Sequence, residues 1–387
     1  MTMFEKLRVM AYDAAKGCFL PAELTVADGM VQSLLPCPGV PGEKNPGDTL
    51  YLCDGLIDSH AHVYDGATDL GVPADRIGLN TGVHLIIDAG SAGSINFPCF
   101  RDYVMPAHET PVKAFLNISR IGLTTKQPYH DRRVIDIPAA VRSLKEDGGK
   151  YLLGIKVLSS GLIVEDAGME PMRAAAAAAR QAGCPVMAHL TEGPPSNGET
   201  MACLEKGDII THCFHGAPNY AALLKASRGH PVDRSYCSQD NIMWRDDGTP
   251  GAPLADALNR GVFLDVGHGA GSLDQRVARA AIAQGVRNFS ISTDAHIRNV
   301  DGVVRDLPHT MSKFLAMGMT LAEVVASVTL IPARQLGLSD WCSHLCTRAT
   351  LLRVRPARAD DPPLLDSYGA LIDGKVRIQP AGSIRSG

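Results

Sequence analysis

"TLYLCDGLIDSHAHV" (residues 49–63) is apolar and then ends in small and polar residues, the pattern of a buried strand leaving a sheet. Side chains along a strand alternate between its two faces, so His60 and His62 point to the same side. Two imidazoles a few ångströms apart suit a divalent ion. Taken alone, an H-x-H pair also fits two ordinary histidines at a strand end. The remainder of the chain decides between them.

From residue 55 onward, short apolar segments recur with helical stretches between several of them. The strand candidates are 55–63, 82–90, 112–119, 152–160, 185–190, 208–214, 261–267 and 288–294. "EPMRAAAAAARQAG" (170–183) reads as a helix favoured by its alanines and stopped at Gly183. "GSLDQRVARAAIAQG" (271–285) reads as another, with Ser272 as its expected N-cap. Eight strands alternating with helices predict an α/β fold, a (β/α)8 TIM-type barrel over residues 55–338. Residues 1–54 and 339–387 are strand-like pieces broken by Gly and Pro. They are expected to combine as a small β-sandwich domain built from both termini.

Composition narrows the class. The chain has 387 residues, 45% hydrophobic and 20% charged, enough to bury a large core. A net charge of −4 gives no electrostatic attraction to nucleic acid or to an anionic membrane. No apolar run reaches the ~18 residues of a membrane span. "MTMFEKLRVMAYDAAKG" carries acidic residues where a signal peptide would be apolar. Ten cysteines are scattered without a C-x-x-C pair, which reads as reduced core residues rather than a disulfide framework. The expectation is a cytoplasmic protein with a small-molecule substrate and neither a nucleic-acid nor a membrane partner.

Barrel enzymes place their chemistry at the C-terminal ends of the strands. At the expected strand ends stand His60 and His62, then Lys156, His189, His212 and Asp294. Singly each has an ordinary explanation: a packed histidine, or an aspartate capping a helix. Lys156 is the oddest, because an ammonium inside an apolar strand is costly unless paired or modified. Six such residues at five strand ends make coincidence a poor account.

This arrangement resembles the amidohydrolase superfamily of metal-dependent hydrolases, of the binuclear type. "IDAGSAGS", "AFLNISRIGL", "GIKVLSSG", "GDIITHCFHG", "DVGHGAGS" and "ISTDAH" look like its branch often labelled dihydroorotase-like or adenine-deaminase-like. Members of that branch are associated with hydrolysis of acylated small carboxylic acids. The resemblance implies that His60, His62 and Asp294 hold one divalent ion and that His189 and His212 hold the other. It places Lys156 between them as N6-carboxylysine, formed with carbon dioxide. Zinc is the favoured ion given the imidazole ligands. The implied reaction is attack of a metal-bridging hydroxide on an amide or ester carbonyl, with Asp294 as the catalytic residue that moves the proton.

Other roles are expectations of the same kind. His268 and Arg120 are candidates for holding the substrate, and His215 and His296 for orienting the ligands. Analogy suggests a homo-oligomer. The segment 228–251 looks longer than the branch requires, and reads as either a lid or a surface insertion. "CSHLCTRATLLRVRP" (342–356) is a degraded form of the stretch that normally leads into the β-domain. The alternative substrate is a cyclic amide or imide, as in dihydroorotase- or hydantoinase-like ring opening. Deamination, with Glu192 as proton donor, and a non-catalytic metal-binding scaffold are further readings.

Overall fold

The computed structural model describes residues 4–39, 49–216, 243–338, 340–343 and 348–385. Each of the eight segments read as strands contains one. They are β5 (Leu56–Ala61), β6 (Val83–Gly93), β7 (Val112–Asn117), β8 (Leu152–Ser159), β9 (Val186–Leu190), β10 (Ile209–Thr211), β11 (Phe263–Asp265) and β12 (Phe289–Ser290). They pair in chain order into one sheet, every neighbouring pair parallel. Such continuous burial suits strands covered on both faces, and β5 and β6 are buried at every residue.

Inside the barrel, Ile57, Leu85, Ile87, Phe115, Met187 and Ile209 form an apolar plug. Trp341 covers its lower end and donates from Nε1 to the Gly55 carbonyl at 2.8 Å. A second, larger cluster fills the space between strands and helices, with Leu56, Ile86, Ile155 and Val186 facing helix residues such as Ala175 and Ala178.

The sheet is drawn shut at its upper rim. β12 and β5 share no regular ladder. Instead the Asp294 N–H donates to the His60 carbonyl at 2.7 Å, and the His62 N–H donates to the Ala295 carbonyl at 2.9 Å. The seam that closes the barrel therefore carries His60, His62 and Asp294 together. β5 also carries an extra residue relative to β6 between Asp58 and Ala61, a bulge that re-aims His60.

Helix 170–182 ends at Gly183, as its composition requires. The later helix differs from expectation. It spans Gln275–Ala283, and its N-cap is Asp274, whose carboxylate accepts the Arg276 N–H at 2.9 Å. Ser272 lies too early, because the Asp274 N–H is still bonded to the Phe214 carbonyl, outside the helix.

The termini build a second sheet from β1 (Phe4–Asp13), β2 (Cys18–Ala27), β3 (Met30–Pro36), β4 (Leu50–Asp54), β13 (Arg348–Pro356) and β14 (Val376–Arg385). It is one hydrogen-bonded sheet in the order β14-β13-β4-β1-β2-β3 rather than two separate ones. Its edge strands β3 and β14 approach each other, and it encloses its own core of Val9, Leu24, Val31, Leu52, Leu351 and Ile384. Of the 228–251 segment, only 243–251 lies within the described residues. Trp244 there is buried against Phe214 and donates from Nε1 to the Cys213 carbonyl at 2.6 Å, so this part packs onto the barrel.

Candidate metal centre

A cavity of 230 Å³ opens at the upper rim of the barrel, and His60, His62, Lys156, His189, His212 and Asp294 all line it. His60 Nε2 and His62 Nε2 lie 3.4 and 3.2 Å from the same Asp294 oxygen, Oδ1. These three residues offer donor atoms within 4.8 Å of one another, compact enough to share one ion. The second group lies alongside: the His212 ring is 5.1 Å from that of His60 and 4.3 Å from that of His189. Lys156 stands at the junction, its Nζ 3.3 Å from His60 Nε2 and 3.7 Å from Met187 Sδ.

The donor set fits a cation on electrostatic grounds. Burial pushes His60 down to about 3, helped by the charge of Lys156, and it pushes His189 and His212 down as well. Neutral imidazoles are what a metal needs. Burial alone would raise the Asp294 carboxyl, but His60 and His62 beside it hold it well below the usual carboxylate range. Burial brings Lys156 down to about 8, against the pull of Asp294, Asp265 and Asp88.

Residues that escaped the sequence reading orient this set. The free ring nitrogen of His60, Nδ1, meets Thr211 Oγ1 at 2.8 Å and Asp265 Oδ2 at 3.3 Å. Asp265 is itself fixed by Ser59 at 2.9 Å and Thr211 at 2.7 Å. His62 Nδ1 meets Ser91 Oγ at 2.9 Å, and Asp88 accepts the N–H groups of Ser91 and Val63. His212 Nδ1 donates to the Gly267 carbonyl at 2.8 Å. These bonds leave the Nε2 atoms of all three rings to face a metal. Asp265 and Thr211 sit in short apolar strands far from His60 in sequence, so only the alternation of their strands hinted that they face the interior.

Two expected contacts are corrected. His268 is fully buried, not a lining residue. Its Nε2 accepts from Lys313 Nζ at 2.7 Å and its Nδ1 donates to the Gly269 carbonyl at 2.8 Å, so both ring nitrogens are engaged within the protein. Arg120 sits outside the cavity lining and faces Asp136 at 3.7 Å, because its strand-end turn carries it to the outer rim. The histidines expected to orient ligands differ from each other. His296 lines the cavity, whereas His215 is buried behind His212, linked to it by a backbone bond of 3.1 Å. Glu192 also turns away: its carboxylate accepts from Ser160 Oγ and from the Leu162 N–H.

Fold and site together define a TIM-type barrel with a candidate metal centre at its upper rim. The chain belongs to the amidohydrolase family, whose model matches residues 51–346. A deacetylase of Brucella anthropi is 32% identical over 300 residues, which cover 77% of this chain and 69% of that protein. Among solved structures, an adenine deaminase superposes with a TM-score of 0.80 at 26% identity, over 97% of this chain and 96% of that one. A dihydroorotase gives 0.78 at 29% identity, over 97% and 93%. The protein is therefore a hydrolase of that family. No helix among the described residues is long and apolar enough to cross a membrane.

Proposed function

We propose that this protein hydrolyses the acyl C–N bond of a small N-acylated acid, with an ester as the close variant, and that it uses two zinc ions. The observation that carries this is the convergence of His60, His62, Lys156, His189, His212 and Asp294 on one cavity. The deacetylase relative supports acyl release. The cavity, at 230 Å³, is smaller than the ~300–1,000 Å³ that holds a drug-sized ligand, which favours a compact substrate.

His60, His62 and Asp294 would hold one ion, and His189 and His212 the other. Lys156 would bridge them as its carbamate, formed when its neutral amine takes up carbon dioxide. Its burial among ligands, with an imidazole nitrogen as its near neighbour, supports this assignment. Bound divalent ions would polarise the acyl carbonyl and make a water molecule acidic near neutrality. The Asp294 carboxylate would take the proton released on attack and deliver it to the leaving nitrogen. Leu70, Leu123, Leu158 and Ile163 would keep bulk water from the acyl group, and Thr124 and Thr125 offer hydroxyls to the polar end.

The dihydroorotase likeness favours a second reading, ring opening of a cyclic amide, which uses the same groups. The adenine deaminase likeness is weighed against Glu192, whose carboxylate is engaged at residues 160–162 and is not a lining residue. A mass-spectrometric screen distinguishes these readings. The protein, prepared with zinc and bicarbonate, is incubated with N-acyl and O-acyl amino and hydroxy acids and with dihydroorotate, hydantoins and imides. Two fragments from the acylated set are expected. A single product heavier by one water, from the cyclic set alone, would replace the deacylase reading with a cyclic amidase.

A further inference from the structure

Lys313 is a buried amine that the proposed reaction does not use. It lies on the helix Leu307–Ala316, fully enclosed, and donates to His268 Nε2 at 2.7 Å. Burying an amine is costly, and here the imidazole, the Val303 carbonyl and the nearby carboxylates of Asp366 and Asp306 offset that cost. The Gly269 carbonyl can only accept, so His268 carries its proton at Nδ1, donating to it at 2.8 Å, and Nε2 is left to accept an N–H of Lys313.

The turn so held, Gly267–Gly269, lies behind His212 and Asp294. The Gly267 carbonyl accepts from His212 Nδ1 at 2.8 Å. Gly269 lies so close to Asp294 that a Cβ on it would stand 2.3 Å from Asp294 Oδ2. From the other side, Ser367 of the C-terminal segment donates to the carbonyls of His268 and Gly269, at 2.9 and 3.0 Å. Tyr368 next to it accepts the Gly216 N–H at 2.9 Å and donates to the Gly271 carbonyl at 3.1 Å. The helix is tied to the terminal sheet as well, since the Ile378 N–H donates to Ser312 Oγ at 2.9 Å.

We propose that Lys313 and Ser367 are positioning residues: they clamp the Gly267–Gly269 turn through His268 and so set His212 and Asp294 for hydrolysis. This rests on the assignment of those two residues to the metal centre. It gives the C-terminal segment a share in catalysis without touching substrate.

The test uses the full chain loaded with cobalt(II), whose visible absorption reports ligand geometry independently of turnover. Lys313→Met, His268→Asn, the double variant and Ser367→Ala are compared for kcat, KM and that spectrum. Displacing groups at a reacting centre by a fraction of an ångström should cost kcat about tenfold or more with KM nearly unchanged, in Lys313→Met and in His268→Asn. The double variant should be no worse than either single one, because both remove the same bond. Ser367→Ala, at a half-buried position and checked for a native circular dichroism spectrum, should shift the cobalt spectrum in the same direction by less. Multiplying losses in the double variant would overturn the clamp, as would wild-type kcat and spectra in Lys313→Met and Ser367→Ala. A wild type that takes up no cobalt would overturn the metal centre, and the clamp with it.

Discussion

Asp294 is held from several sides. Its Oδ1 meets His60 and His62, its backbone N–H closes the barrel seam, and Gly269 leaves beside its Oδ2 no room for a side chain. Asp294→Asn keeps this shape but removes the proton acceptor. Its kcat should fall by roughly 10²–10⁴, measured beside metal content so that loss of chemistry is separated from loss of ions. Gly269→Ala probes the same carboxylate from outside. Gly269 has φ +51°, where a side chain is strained, and its Cβ would collide with Asp294 Oδ2. Activity should drop at least about tenfold while far-UV circular dichroism stays native. Gly90, at φ +85°, leaves equally little room beside Lys156: a Cβ on it would stand 2.5 Å from the lysine Cβ. The candidate ligands at strand ends stood out in the sequence because His, Lys and Asp end otherwise apolar segments. Ser91, Thr211 and Asp265 did not, because small polar residues in a strand are unremarkable until the partner across the barrel is known.

At the level of elements, the alternation of apolar segments and helices was enough to place all eight barrel strands. Strand ends are set by hydrogen bonding across the sheet, so β10, β11 and β12 are much shorter than their apolar segments. The helix at 275–283 shows the same limit: Ser272 and Asp274 are both good caps by type, and only the bond from Asp274 N–H to Phe214 decides between them. Lys313 was invisible for a related reason, since a lysine in an amphipathic helix normally faces water. Burial brings it from 10.5 down to about 7. Between these values the unfolded chain binds the proton and the native chain does not, so stability rises with pH across that window. The wild type should therefore gain stability relative to Lys313→Met as pH is raised from about 7 towards 10.5, in denaturant titrations. A constant difference across that range would show that Lys313 keeps its ordinary affinity for protons.

For the whole molecule, the segment between β13 and β14 reaches from the terminal sheet to the rim of the barrel. The C-terminal segment holds the loops after β10 and β11, and the barrel seam carries three of the ligands. Ions bound only by the native state would stabilise it by mass action. Prolonged chelation should lower Tm by several degrees, and zinc should restore it, read by scanning calorimetry. The terminal sheet shows how much the sequence withheld: the strands were legible, but their joining into one curled sheet depends on pairing between residues some three hundred positions apart, such as Thr350 with Cys53.

The central claim is that one cavity holds two divalent ions bridged by a modified Lys156. Metal stoichiometry by inductively coupled plasma mass spectrometry tests it most directly, on protein prepared with zinc and bicarbonate, for the wild type and Lys156→Ala. Two ions per chain are expected in the wild type and a clear loss in the variant, restored in part by short carboxylic acids that fill the gap. One ion or none in the wild type, or two retained in Lys156→Ala without added acid, would contradict it.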